Sequence, residues 1–403
     1  MKYIVVLGDG MADYAIDEFG GKTILDVADK PNMDYMAEHG ELGLIQTVPE
    51  GLKPGSDVAN LSVMGYDTKK CYTGRSPLEA ASIGVDLKPT DVTFRANLVT
   101  LSDEENYEDK TMLDYSAGEI STEEAKELIE AVEKELHTDL IHFYAGVSYR
   151  HLLVWDGGST KVKLTPPHDI SDKKIAGHLP EGEGADKLLE MMKKSEKILK
   201  NHPVNLERIK NGKHPATSIW IWGEGTKPVL EKFEDCYGLK GSVISAVDLI
   251  KGIAVCAGMK SIDVVGANGN HDTNYEGKAD AAFDALTKDG ADFIYIHLEG
   301  PDECGHRGEP DNKKYAVEMI DKKIVGELKK RMEDAKIDYK MLILPDHPTP
   351  IRLKTHVSDP VPYIIYDPKN EKATNLSYNE KNAAKTGIKK NSGVELMKHF
   401  LNK

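Results

Sequence analysis

MKYIVVLGDG (residues 1–10) runs an apolar stretch, Tyr3 to Leu7, straight into Gly8-Asp9-Gly10. A strand that stops at a glycine-flanked carboxylate is the pattern of an open α/β sheet, where ligand groups sit at the carboxyl ends of the strands. The pattern recurs along the chain. Phe293 to Leu298 runs into Glu299-Gly300-Pro301-Asp302, and Met341 to Leu344 runs into Pro345-Asp346-His347. Ile262 to Val265 runs into Gly266 and then Asn268-Gly269-Asn270-His271-Asp272. Helical periodicity over 245–258, 276–288 and 311–334 lies between these strands. The alternation predicts an α/β fold, a mostly parallel sheet with helices on both faces.

The middle of the chain reads differently. Residues 92–101, 141–155 and 159–165 alternate like strands of a mixed or antiparallel sheet. Residues 121–136 open with a Ser-x-x-Glu capping signal and read as a helix, and a second helical run covers 184–200. A smaller α+β domain over 86–180 is therefore expected, inserted into a core formed by 1–85 and 181–403. A length of 403 residues fits two domains, since single cores rarely grow beyond ~250–300 residues.

Composition narrows the function classes. A formal net charge of −15 argues against a nucleic-acid partner, which calls for a basic face. It leaves room for an anionic substrate, because local cations override the global sign. No apolar run approaches the ~20 residues of a membrane span. The start has no signal-peptide pattern, so a cytoplasmic location is expected. Cys71, Cys236, Cys256 and Cys304 form no CxxC pair and read as free thiols.

Four local signals carry chemistry. Asp302 and His306 are four apart, which puts both on one side of a helix, and the carboxylate–imidazole pair suits Mn²⁺ or Zn²⁺. Cys304 between them reads as a small buried residue, with a softer metal as the alternative. Asp346-His347 follows a buried strand between Pro345 and Pro348, where a sharp turn would let both side chains face one site. His356 stands ten residues beyond the first of that pair. In PGSDVANLSVMGYD (54–67), Ser56-Asp57 reads as the N-cap of a helix, at free amides and the positive dipole end. Each signal alone has an ordinary structural explanation. Together Asp9, Ser56, Asp302, His306, Asp346, His347 and His356 supply oxygen and nitrogen ligands, enough for two ions, at strand ends expected to converge on one sheet edge.

With these residues in view, the chain resembles the cofactor-independent phosphoglycerate mutases, in the shorter archaeal-type branch of the alkaline-phosphatase superfamily. The resemblance spans essentially the whole chain. It is carried by GDGMAD (8–13), PGSDVANLSVMGYD (54–67), TGRSPLEAASIG (73–84), FRAN (94–97), YRHLLV (149–154), TPPHD (165–169), GPDECGH (300–306), PDHPTP (345–350) and THVSDPVP (355–362).

The resemblance implies an alkaline-phosphatase-like fold in which an inserted domain closes over a metal-binding core. It implies one metal at Asp302, His306 and His356 and another at Asp9, Asp346, His347 and Ser56. The ions would be Mn²⁺, with Zn²⁺ or Mg²⁺ as alternatives. Ser56 would be the nucleophile, transiently phosphorylated as 3-phosphoglycerate and 2-phosphoglycerate interconvert. Arg75, Arg95, Arg150, His151 and His168 match positions near the substrate, with Asn60 and Lys278 as weaker matches. His151 or His168 would serve as a proton shuttle, and His271-Asp272 resembles a segment near the cleft. The only partner implied is a small phosphorylated substrate. A homoserine kinase on the same metal core is the alternative; the chain has no GxxxxGK[ST] loop. A plain phosphatase would need an open, wet site, and a non-catalytic scaffold would be expected to have lost ligands.

Overall fold

A computed structural model describes residues 1–402. The chain divides into two compact units, Met1–Tyr72 with Val229–Lys403 and Thr73–Pro228. The larger unit is built on an eight-stranded sheet. Its centre is the strand Lys2–Gly8, paired in parallel with Phe293–Leu298 on one side and Tyr339–Leu344 on the other. Gly241–Ile244 and Lys260–Ile262 continue the sheet in parallel beyond Phe293–Leu298. Val361–Tyr366 and Glu41–Ile45 turn the other side antiparallel, and Lys389–Lys390 closes that edge.

The central strands carry near-continuous apolar runs because both of their faces are covered. Ile4, Val6, Ile294, Ile296, Met341 and Ile343 share one core with the helices Pro31–His39, Tyr275–Thr287 and Gly326–Asp334. On the opposite face Tyr3 meets Phe400 of the last helix edge-on at 5.5 Å, and Phe293 packs on Phe233 at 4.6 Å. The fold is thus the expected alkaline-phosphatase-like α/β sheet. The helical run expected over 311–334 is continuous but changes pitch, with a π-helical turn at Ile320–Val325 between two α-helical segments.

Expected strand boundaries shift in one place that matters. The strand expected over 262–265 ends at Ile262, so residues 263–274 form a long connection that carries His271.

The smaller unit holds a five-stranded sheet. Its axis is Asp91–Leu101, flanked antiparallel by Arg150–Asp156 and by Ser218–Thr226. The helices Thr122–Leu136 and Ala185–Leu199 bury Leu128, Ile129, Leu188 and Met192 against it. The capping box at Ser121 and Glu124 is formed as read from sequence. The unit is wider than the 86–180 segment expected. Ser218–Thr226 zips along nearly the whole of Asp91–Leu101, a long-range antiparallel pairing that local periodicity does not reveal. The strand expected over 159–165 shrinks to Val162–Lys163.

One buried ion pair fastens the loops at the carboxyl end of the large sheet. Lys313 Nζ donates to Asp13 Oδ2 at 2.7 Å and to the carbonyls of Thr349 and Ala12 at 2.8 and 3.3 Å. Asp13 in turn accepts from the amide of Ile351. Both charges are shut off from water, so removing one strands the other. Lys313→Met is expected to cost about 3–5 kcal/mol, seen as a drop of several degrees in thermal midpoint.

Candidate metal centre

Gly8, Asp9 and Gly10 end the central strand. Gly10 takes a left-handed backbone (φ +61°), and a Cβ there would lie 2.6 Å from both Asp302 Oδ1 and Thr349 Oγ1. A residue with no side chain is therefore what lets three loops converge. Asp9, Asp346 and His347 come together as one set of donor atoms, and Asp302, His347 and His356 as another. All seven expected ligand positions lie in this one cluster of the larger unit, with His347 central to both sets.

Asp346 and His347 lie in the turn after Tyr339–Leu344, and both side chains reach the cluster. The turn is held because Asp346 Oδ1 accepts from the amides of His347 and Gly10, at 2.8 and 3.1 Å. Asp302 and His306 stand on the helix Gly300–Arg307 with Oδ2 and Nε2 3.2 Å apart. His306 Nε2 is 2.8 Å from His356 Nε2.

Hydrogen bonds fix which ring nitrogens present lone pairs. Thr349 Oγ1 donates its only proton to Asp302 Oδ1, so it accepts from His347 Nδ1 at 3.3 Å. His347 Nε2 is then unprotonated. It faces Ser56 Oγ at 3.3 Å, Asp346 Oδ2 at 3.4 Å and Asp9 Oδ1 at 3.7 Å. His306 Nδ1 donates to the Lys354 carbonyl at 3.0 Å. Its Nε2 is turned to Asp302 Oδ2 and His356 Nε2, and the bond to Asp302 lifts the imidazole pKa to about 9.

The donor set asks for positive charge. Asp9 Oδ1 is buried and has no hydrogen-bond partner. Burial, followed by the charges of Asp346 and Asp302, pushes the Asp9 carboxyl well above its ordinary range. Buried carboxylates and imidazole lone pairs this close fit divalent cations of the Mn²⁺/Zn²⁺ class.

Ser56 differs from its expected place. It is the first residue of the helix Ser56–Val63, and Gly55, not Ser56, is the cap. Its hydroxyl caps nothing and points to His347 instead. Asp57 bonds locally, to the Val58 amide and the Tyr72 hydroxyl. Asn60 does not stand where a substrate would reach it. It is buried, donates to the Ser56 carbonyl (2.8 Å) and to Asp346 Oδ2 (2.9 Å), and accepts from Tyr295 OH (2.7 Å). Lys278 is likewise buried, donating to the His297 carbonyl, and burial lowers its pKa to about 8. Both residues support the cluster from beneath.

His297 was not singled out by sequence. Inside a buried strand a lone histidine reads as core. Its Nε2 donates to Asp9 Oδ2 at 2.9 Å, and its Nδ1 accepts from Ser245 Oγ, which itself accepts from the Val247 amide. Burial lowers its pKa to about 3, so it is a neutral donor that orients Asp9.

The smaller unit brings the remaining candidates together around Glu79. Arg75 Nε and Arg95 Nε each donate to one Glu79 oxygen at 3.0 Å. Arg95 stacks on Trp222 at 4.3 Å, and the exposed Arg150 lies over Tyr149 at 5.3 Å. Burial holds the Arg95 pKa down, Glu79 opposes this, and Arg75 and Arg150 add to it. Three guanidiniums against one carboxylate leave net positive charge.

Two histidines of this unit, His151 and His168, are also candidates. His168 packs edge-on against Trp222 at 5.3 Å. His151 Nδ1 accepts from the Gly146 amide at 3.1 Å, so its buried Nε2 carries the proton and has no partner. Burial and Arg150 lower the His151 pKa to about 3. His151 is therefore a neutral donor and unsuited to shuttling protons near pH 7, while half-exposed His168 keeps solvent access. Glu79, Trp222 and Asn97, which accepts from Trp222 Nε1, were not legible as site residues.

Comparisons with known proteins place the chain in a family. A family model described as 2,3-bisphosphoglycerate-independent phosphoglycerate mutase matches residues 37–205. A probable enzyme of that description from Geobacter sulfurreducens is 51% identical over 404 residues, covering 100% of both chains. The chain belongs to this family. Its Methanosarcina barkeri relative is 51% identical over 390 residues, with 96% of each chain covered. A solved Pyrococcus horikoshii structure matches with a TM-score of 0.82 at 29% identity, over 100% of this chain and 97% of that one. The cofactor-independent phosphoglycerate mutase of Thermoplasma acidophilum shares the fold, with a TM-score of 0.64 at 24% identity over 100% and 99% of the chains. No helix among the described residues is long and apolar enough to cross a membrane.

Proposed function

We propose that the protein is a cofactor-independent phosphoglycerate mutase, interconverting 3-phosphoglycerate and 2-phosphoglycerate through phosphorylated Ser56. The observation that carries the mechanism is the Ser56 hydroxyl: it heads a helix, caps nothing, and lies 3.3 Å from His347 Nε2 beside two carboxylates. The relatives reported above are named phosphoglycerate mutases, and nothing in the site favours a homoserine kinase.

Two divalent cations, Mn²⁺ foremost, would be held by Asp302, His306 and His356 and by Asp9, Asp346, His347 and Ser56. When bound, such ions lower the pKa of a serine hydroxyl and offset phosphoryl charge. The chain's own residues do the rest. Ser56 Oγ gives up its proton and bonds to phosphorus while the bond to the 3-oxygen breaks, and that oxygen takes up a proton. After glycerate reorients, its 2-hydroxyl takes the phosphoryl group back and Ser56 regains a proton. The amides heading Ser56–Val63 face the transferred group with the positive end of the helix dipole. His297 and Asn60 keep Asp9 and Asp346 in place throughout.

The guanidiniums of Arg75, Arg95 and Arg150 suit the paired oxygens of a carboxylate or phosphate. Arg150 is exposed and has the freedom to meet one. Arg150→Ala is expected to raise KM for 3-phosphoglycerate about 10- to 100-fold, as fits one charge-assisted hydrogen bond of ~1.5–3 kcal/mol. Protein stripped of metal and reloaded with Mn²⁺ tests the activity itself. Conversion of 3- to 2-phosphoglycerate without added bisphosphoglycerate supports the reading; no conversion by the loaded protein rejects it.

A further inference from the structure

We propose that His271, Cys304 and Glu309 form a separate binding site for a thiophilic divalent cation of the Zn²⁺ class, beside the catalytic cluster but sharing no ligand with it. One donor atom from each residue lies within 4.8 Å of the others. Cys304 is fully buried on the inner side of the helix Gly300–Arg307. Glu309 follows the left-handed Gly308 that ends this helix, and its amide donates to the Cys304 carbonyl at 2.9 Å. His271 comes from the long connection 263–274, whose backbone is pressed against the helix start: a Cβ on Gly300 would lie 3.0 Å from His271 Cα.

A second observation points to a ligand. His271 Nδ1 is shut off from solvent and has no hydrogen-bond partner, a costly state for an imidazole nitrogen unless something takes its lone pair or proton. The His271 backbone is anchored, its carbonyl accepting from Tyr275 OH at 2.9 Å. The chemistry of the set is also distinct. The catalytic cluster offers only oxygen and nitrogen, whereas a thiolate, an imidazole and a carboxylate favour Zn²⁺ over Mg²⁺ or Mn²⁺ and leave a fourth position for water.

Arg307 covers the site. Its Nε donates to Glu309 Oε1 at 3.2 Å, Nη1 donates to Asn270 Oδ1 at 3.1 Å, and Nη2 lies 3.9 Å from Cys304 Sγ. A half-exposed arginine can swing outward. Cation binding then replaces its positive charge and releases the Cys304 thiol proton to solvent. The bound ion ties the 263–274 connection to the helix that carries Asp302 and His306.

Cobalt titration of the full, metal-stripped chain tests the site without relying on activity. Thiolate ligation gives Co²⁺ a sulfur-to-metal charge-transfer band in the near ultraviolet, which oxygen and nitrogen ligands do not produce. The band is expected to saturate at one sulfur-bound Co²⁺ per chain, to be lost in Cys304→Ser, and to bleach when Zn²⁺ is added. His271→Asn, which leaves the thiol in place, is expected to weaken Co²⁺ binding at this site at least tenfold. Absence of the band at saturating Co²⁺, or a band that survives Cys304→Ser, overturns the proposal. Failure of the mutase reading would leave the band untouched.

Discussion

Ser56→Ala is expected to abolish mutase turnover, by roughly four to six orders of magnitude, as removal of a covalent nucleophile does, while the protein keeps its fold. The second half of that expectation comes from the helix start. An N-cap serine replaced by alanine costs about 1 kcal/mol, but Ser56 is the first helical residue and its hydroxyl makes no capping bond. Asn60 bonds to the backbone carbonyl of residue 56, which alanine keeps. The thermal midpoint should therefore stay within a degree or two, and the cations should still bind through the remaining ligands. Rapid acid quenching of the parent protein with labelled 3-phosphoglycerate should trap label on Ser56, and Ser56→Ala should trap none. Turnover by Ser56→Ala at even a hundredth of the parent rate would mean phosphate never rests on this residue.

What was legible in the sequence follows from how the sheet is buried. The strands Lys2–Gly8, Phe293–Leu298 and Tyr339–Leu344 are covered on both faces, so they read as apolar runs, and each stops at a polar turn. Candidate ligands at strand ends are legible for that reason. Residues whose role depends on tertiary contact could not. His297 lies inside a buried run, and only the approach of Asp9 across 288 positions gives it a function. Lys278 reads from sequence as a weaker match near the substrate, but it lies on the buried face of its helix. Glu79 became visible only when Arg75 and Arg95 met on it. Thr349 lies between Pro348 and Pro350, where nothing local marks it, and its one proton decides the tautomer of His347.

Removal of the cations should cost stability as well as activity, because the cluster proposed to hold them is frustrated on its own. Asp9, Asp302 and Asp346 are all buried, and Asp9 Oδ1 faces two other carboxylates and an imidazole lone pair with no donor to meet it. Chelation is expected to take turnover to background and to lower the thermal midpoint, with both restored by Mn²⁺. A ligand in thousandfold excess over its Kd stabilises the folded state by about 4 kcal/mol per site, so the midpoint should climb with metal concentration. Asp9→Asn separates this account from a general loss of structure. The asparagine keeps an oxygen to accept from His297 Nε2, while its amide replaces the unpartnered oxygen with a donor aimed at His347 Nε2. The metal-free variant should then melt above the metal-free parent, because a buried carboxyl crowded by Asp346 and Asp302 is replaced by a neutral amide. Its midpoint should respond to Mn²⁺ less than the parent's, through the Asp302, His306 and His356 site alone, and its activity should stay near background even when metal is added. A variant that melts below the metal-free parent would mean that Asp9 holds the fold together by itself, and that the crowding of carboxylates is not what the cations relieve.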